Sequence, residues 1–376
     1  MDAESALISP VEGVELRYCF VNGVRLRVAF AGPQNGDVVL LLHGWPECWF
    51  SWRHQMRTLA DAGFLAVAPD LRGFGGSDVP TRRQSYDTTT ICADMVYLLR
   101  HELRRESCVL VGHDWGAILA WQFCLLEPAR FPALCTLSVP PIYGTAISPM
   151  EAWRRQFGVG DEGKFYYILY HNESFDEDST LVNKYGDNAT TDKGPAELEY
   201  DRDVEGTLRK LYLVGPTSSV RNLRCAEAQQ KGKKRGAGDR CGWLPRLPDV
   251  KGYPNWMSEG ELSYFVEQYK YSGFRGGINL YRNIERNHLL TKRFAKTLIS
   301  QPVLFIAGTD DNVVHSNGGV EAVSKMVKGY CREVELLWLQ DTGHWCQQER
   351  AADISQALLS FVQKQRPLLR KSQGRL

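Results

Sequence analysis

The chain has 376 residues, with 45 Lys and Arg against 44 Asp and Glu, and a formal charge of +1. That balance excludes the one-signed surface of a nucleic-acid binder, and a composition 43% hydrophobic and 11% aromatic excludes a disordered or collagen-like chain. No apolar run approaches the ~20 residues of a membrane span, and the acidic start MDAESALISP lacks the apolar segment of a signal peptide.

In chain order, Val38 to Leu42 (VVLLL) reads as a fully buried strand, and Leu65 to Ala68 as another. Ile91, Met95, Leu98 and Leu99 have helical spacing. CVLV (Cys108 to Val111) is a short buried strand, Trp115 to Leu126 a long apolar helix stopped near Pro128, and Leu134 to Val139 a strand. Apolar strands alternating with helices predict an α/β architecture, a mostly parallel sheet covered on both faces. From about Pro149 the strand signal stops. Aromatic-rich helical stretches replace it: Phe165 to Tyr170, Leu208 to Val214, Glu261 to Tyr271 and Ile278 to Ile284. Strands resume at PVLFIA (Pro302 to Ala307) and VELLWL (Val334 to Leu339), and a helix over Ala352 to Val362 closes the chain. The expected division is a sheet-bearing core from residues 1–145 and 299–376, with a helical cap at 146–298 inserted between its halves.

The ten cysteines are scattered singly, with no CxxC pair. Their placement predicts a reducing, cytoplasmic setting and no metal site. Cys225 and Cys241 flank a basic stretch, Lys231 to Arg240, read as a solvated loop; they are expected to stay unbridged. The sequons at Asn172 and Asn188 are expected to be unused. The final Gly374-Arg375-Leu376 is a poor variant of a peroxisomal tripeptide and reads as chance similarity.

In a parallel sheet the functional loops lie at the carboxyl ends of the strands. After CVLV comes Gly112-His113-Asp114-Trp115-Gly116, then a helix. A turn this tight needs nearly bare residues on both sides of its centre, and the helix amides favour an anion there. A capping Asp alone would not need both glycines. The central Asp114 has a chemical consequence. A serine attacking saturated carbon would leave an ether, whereas a carboxylate leaves an ester that water can cleave. Gly343-His344-Trp345 follows the last strand and offers His344 as the general base for that water. Asp310 and Asp311 follow PVLFIAG, where a carboxylate can hold the imidazole tautomer; the reading favours Asp311. HGWPE (His43 to Glu47) follows the first clear strand. The backbone N–H groups of Trp45 and Trp115 there can bind an oxyanion, and His43, Pro46 and Trp345 complete the expected oxyanion and substrate-binding set.

These motifs, with DLRGFGGSD (Asp70 to Asp78) and GTDDNVV (Gly308 to Val314), resemble the soluble-type epoxide hydrolases of the α/β-hydrolase superfamily, over nearly the whole chain from Val24 to Val362. The resemblance implies two cap tyrosines that protonate the opening epoxide oxygen. FRGGINLYRNIERN (Phe274 to Asn287) places Tyr281 in that role. KFYYILY (Lys164 to Tyr170) places Tyr167 there, with Tyr166 and Tyr170 as open alternatives. It also implies a cis Trp45-Pro46 peptide and no metal or organic cofactor. With so short a stretch before Val24, neither the extra phosphatase domain of the animal soluble enzymes nor the anchor of the microsomal branch is expected.

Two other readings share parts of this pattern. Haloalkane dehalogenases use the same Asp elbow but carry Asn after His-Gly, where this chain has Trp45; fluoroacetate dehalogenases place Arg after the nucleophile, where this chain has Trp115. A small-molecule receptor on the same fold could dispense with one catalytic role, and here every role is filled. The expected partner is a small lipophilic epoxide, because aromatic loops and cap point to an apolar pocket. Neither nucleic acid nor a membrane is expected as a partner.

Overall fold

The hairpin of β1 (Val14–Val21) and β2 (Val24–Ala31) opens the sheet. In β1, Val14 and Leu16 are buried while Glu15 and Arg17 face water, the alternation of a half-buried strand. Asn22 and Gly23, both at positive φ (45° and 78°), make the two-residue turn. No continuous apolar run marks this hairpin, because β1 keeps one face in water.

The computed structural model describes residues 7–158, 165–173, 193–214 and 242–373. The basic stretch 231–240, Cys225, Cys241, the Asn188 sequon and the final tripeptide lie outside the described residues. Further along the chain come β3 (Asp37–Leu42), β4 (Phe64–Pro69), β5 (Val109–His113), β6 (Ala133–Leu137), β7 (Ile299–Gly308) and β8 (Cys331–Leu339). Among the described residues they form one eight-stranded sheet in the order β1-β2-β4-β3-β5-β6-β7-β8. Its β4-β3-β5-β6-β7-β8 part is parallel, and the β1-β2 and β2-β4 pairings are antiparallel. The chain thus has the α/β-hydrolase fold.

Helices cover both faces because β5 and β6 are buried along their whole length. Among them are α1 (Arg53–Asp61), α2 (Thr88–Tyr97) and α3 (Trp115–Leu126). α3 is buried at Trp115, Leu119, Phe123 and most positions between, so it is a core helix, apolar nearly all round. Between β6 and β7 the elements among the described residues are helices, from Pro149–Phe157 through Ile284–Thr291. The helical stretch expected over Ile278 to Ile284 is split: one helix ends at Arg282, the next begins at Ile284, and Asn283 stands at the joint. Its Nδ2 donates to the carbonyls of Arg83 (2.7 Å) and Asn279 (2.8 Å). The closing helix runs further than its apolar spacing shows, over Ala351–Gln373.

The DLRGFGGSD segment turns out to be a brace. Asp70 is fully buried; its Oδ2 accepts from Arg27 Nε (2.8 Å) and Gly76 N–H (2.9 Å), and its Oδ1 from Trp49 N–H (2.8 Å). Arg27 also reaches Gln268 in the helix Glu259–Ser272, at 2.6 Å. One buried ion pair thereby ties β2, two core loops and the helical segment together. Removing either partner would strand a buried charge, at a cost of about 3–5 kcal/mol.

Candidate active site

Asp114 sits between β5 and α3 with φ 52° and ψ −118°, a backbone conformation that few non-glycine residues adopt. The neighbouring chain leaves no choice: a Cβ on Gly116 would lie 2.1 Å from Leu42 O of β3. The elbow is therefore pressed against the β3 strand end, beside the HGWPE loop. There the Trp45 N–H donates to Asp114 Oδ1 at 2.8 Å. No hydrogen bond runs from the Trp115 N–H to this carboxylate. Trp45-Pro46 is cis.

The other Asp114 oxygen, Oδ2, lies 3.4 Å from His344 Nε2. His344 Nδ1 meets both oxygens of Asp311, at 3.0 and 2.9 Å. Asp311 also accepts from Val313 N–H (2.8 Å), capping the short helix Asn312–Ser316, which locks its direction. Asp310 is half-buried, and its N–H donates to Thr342 O. Glu349 holds the histidine loop by accepting from Gly343 N–H (2.8 Å) and Trp345 N–H (2.9 Å). Burial acts against a charged His344 imidazole, but the Asp311 carboxylate, hydrogen bonds to Asp114 and Asp311, and the Asp114 charge raise it to about 10. These contacts favour the protonated imidazole, which stands between the Asp114 and Asp311 side chains.

Above these groups is a cavity of about 540 Å³. Asp114, Trp45, Pro46, Trp115, His344 and Trp345 line it from the sheet side, and Tyr167 and Tyr281 from the helical side. Tyr281 packs edge-on against Trp115, ring centroids 4.9 Å apart, and Tyr167 stacks on Trp243 at 4.6 Å. Burial and nearby negative groups, Asp114 among them, raise both phenols well above the ordinary tyrosine value, so both are neutral donors. Tyr166 also lines the cavity but is stacked on Phe157 at 4.2 Å; Tyr170 is buried and does not line it. Arg282 positions both tyrosine helices. It pairs with buried Glu197 at 3.0 and 3.1 Å, and its Nε donates to His171 O (3.2 Å), at the end of the helix Tyr167–His171.

His43 stands apart from the expected set. It is fully buried and does not line the cavity. Its Nδ1 lies 2.8 Å from Gly44 O, and its Nε2 accepts from Leu71 N–H at 3.1 Å. It fixes the loop rather than meeting a substrate. Two residues inside the motifs make a second layer that the sequence reading passed over. Glu47 is fully buried and lies 2.8 Å from His113 Nδ1, while His113 Nε2 lies 2.8 Å from His344 O. His113 Nδ1 also lies 3.1 Å from Gln347 Nε2, so the ring joins Glu47, Gln347 and the His344 backbone in one buried network. Burial works against the Glu47 carboxylate, but His113 and hydrogen bonds hold it down at about 2. The signal was available: Glu47 closes HGWPE, and His113 precedes the nucleophile.

Among the described residues no group of three His, Cys, Asp or Glu could hold a metal ion, and no helix is long and apolar enough to cross a membrane. The eight described cysteines are all buried and outside any disulfide.

The profile of the alpha/beta hydrolase fold family matches residues 37–169. Epoxide hydrolase A of Mycobacterium tuberculosis is 38% identical over 341 residues, spanning 91% of this chain and 95% of that protein. Epoxide hydrolase 3 of Siraitia grosvenorii is 34% identical over 348 residues, spanning 91% and 96%. The crystal structure of epoxide hydrolase A from Mycobacterium thermoresistibile matches with a TM-score of 0.79 at 35% identity, covering 93% of this chain and 98% of that one. The chain belongs to the epoxide hydrolases of the α/β-hydrolase superfamily.

Proposed function

We propose that this enzyme converts a lipophilic epoxide to a vicinal diol in two half-reactions, through an ester on Asp114. The observation that carries the reading is the double engagement of one carboxylate. Asp114 Oδ1 is held by the Trp45 N–H at 2.8 Å, while Oδ2 faces His344 and the cavity. Oδ2 attacks an epoxide carbon, and Tyr167 or Tyr281 gives its proton to the departing oxygen. The C–O bond breaks as the ester bond forms, and the proton on His344 restores the phenol. Oδ1 becomes the ester carbonyl oxygen, already on one oxyanion donor; the Trp115 N–H is the second as that carbon turns tetrahedral.

Esterification also switches His344. One of the two carboxylates that held its proton is neutralised, so the imidazole releases the proton and can act as a base. Oriented by Asp311, it takes a proton from water, which attacks the Asp114 carbonyl carbon and releases the diol. The described helices between residues 146 and 298 serve as the cap and supply the proton donors Tyr167 and Tyr281. The aromatic lining favours a lipophilic substrate.

The test is one turnover in oxygen-18 water, with enzyme in excess over a fatty epoxide and the diol weighed. Unlabelled diol is expected, because its second oxygen comes from Asp114. Labelled diol means that water attacked the epoxide directly and overturns the role of Asp114.

A further inference from the structure

The cavity extends well beyond the nucleophile. α3 turns Trp115, Ile118 and Gln122 toward it, three and four residues apart on one face. Gln122 lies eight residues past Asp114, about 12 Å along the helix axis. It is 3% exposed. Its Nε2 points to Ile142 O at 3.5 Å, which fixes the amide's orientation, since a flip would set two oxygens against each other. The remaining atom, Oε1, is buried and has no hydrogen-bond partner among the described residues. Buried amide oxygens are almost always paired, so this one is an acceptor that lacks its donor.

The charge around it narrows what that donor can be. Asp114 is the sole carboxylate among the described cavity-lining residues, and none of them is Lys or Arg. Thr145 and His288 line the same cavity, with Thr145 Oγ1 and His288 Nδ1 3.5 Å apart. We propose that Gln122 binds a hydroxyl group at the far end of the substrate, which makes the preferred substrate a neutral epoxy alcohol with its hydroxyl about 12 Å from the epoxide. A carboxylate in that place would set acceptor against acceptor, with no Lys or Arg among the described cavity-lining residues to pair it. An ammonium would lack a counter-charge. A hydrocarbon end would leave Oε1 unpaired. The inference rests on Asp114 as the point of attack, since the ~12 Å is reckoned from it by the helical rise.

Three substrates of one carbon skeleton test it: 9,10-epoxyoctadecan-1-ol, 9,10-epoxyoctadecanoic acid and 9,10-epoxyoctadecane, with diol formation followed by mass spectrometry. The unaltered enzyme should have a kcat/KM for the alcohol about tenfold above either of the others, the value of one hydrogen bond. In Gln122→Met, which keeps the side-chain volume, the alcohol-to-hydrocarbon ratio should fall to near one. That ratio does not depend on how much of the variant folds. An alcohol preference that survives Gln122→Met, a preference for the acid, or equal rates in the unaltered enzyme overturns the inference and leaves the Asp114 reading intact. Absence of diol from all three overturns both.

Discussion

Replacing Asp311 by Asn should separate the two half-reactions. Asp311 Oδ1 accepts from Val313 N–H at 2.8 Å, while both its oxygens face His344 Nδ1. An amide at this position keeps its oxygen on Val313 and turns its NH₂ toward Nδ1. His344 must then accept at Nδ1 and carry its proton on Nε2, the nitrogen that faces Asp114. The lone pair that should take a proton from water is gone. A wrong tautomer of this kind costs about 10³–10⁴ in rate, or about 4–5.5 kcal/mol of transition-state stabilisation. Epoxide opening needs only the Asp114 carboxylate and the tyrosines, and should slow by less than about tenfold. The ester therefore accumulates. Rapid quenching followed by intact-protein mass spectrometry should find most of the enzyme heavier by one substrate, while the steady-state rate collapses. A kcat within tenfold of the unaltered enzyme, or a collapse with no ester trapped, refutes the role given to Asp311.

Tyr281→Phe should show the opposite pattern. The ring still packs against Trp115, but ester formation slows by about 10²-fold and no ester builds up; Tyr167→Phe adds to the loss in the double variant. Ester trapping in Tyr281→Phe would contradict this. Arg282→Met leaves Glu197 buried with only Arg275, at 3.6 Å, as a cation, so it should destabilise by about 2–4 kcal/mol and lower Tm by several degrees; an unchanged Tm refutes it. Two pH effects on stability have opposite signs. Glu47 is depressed to about 2, so its contribution is complete above about 4.5 and is lost as pH falls toward 2. Glu47→Gln should flatten that part of a curve of unfolding free energy against pH. His344 is raised to about 10, so its contribution is complete below about 6.5 and fades as pH rises through 10. Cys48 and Cys346 are fully buried, and burial raises both thiols well above the ordinary value. Alkylating reagents on the native enzyme should leave activity intact, and rapid inactivation would show a reactive thiol.

The legible parts of the fold were those with one dominant cause. VVLLL and CVLV are buried on both faces, so an unbroken apolar run could only be an inner strand. β1 has one wet face and a composition like that of a loop; its real signal was the Asn22-Gly23 turn. β6 stops at Leu137, short of the Val139 read from hydrophobicity, because Ser138 takes a positive φ of 71° and gives its hydroxyl to His344 O at 2.9 Å. The elbow residues announced themselves because close approach to β3 forbids side chains there. Which of two adjacent aspartates meets His344 is a matter of direction. The cap on Val313 turns Asp311 inward, and no composition rule encodes that. His43 failed for the same reason: the motif places the residue, but the ring turns toward Leu71.

The Asp311→Asn and Tyr281→Phe variants divide along a line drawn by the chain itself. In the proposed mechanism, the groups that make and cleave the ester hang from the carboxyl ends of β3, β5, β7 and β8. The groups that tell the enzyme which bond to open come from the helices between β6 and β7. On that mechanism the sheet would be a general machine for regenerating an alkylated aspartate, indifferent to what alkylated it. The electrophile is chosen by the insertion, whose ends enter and leave at neighbouring strands. Exchange of that one segment is therefore the natural route to a different leaving group, with the water-handling half of the cycle left untouched.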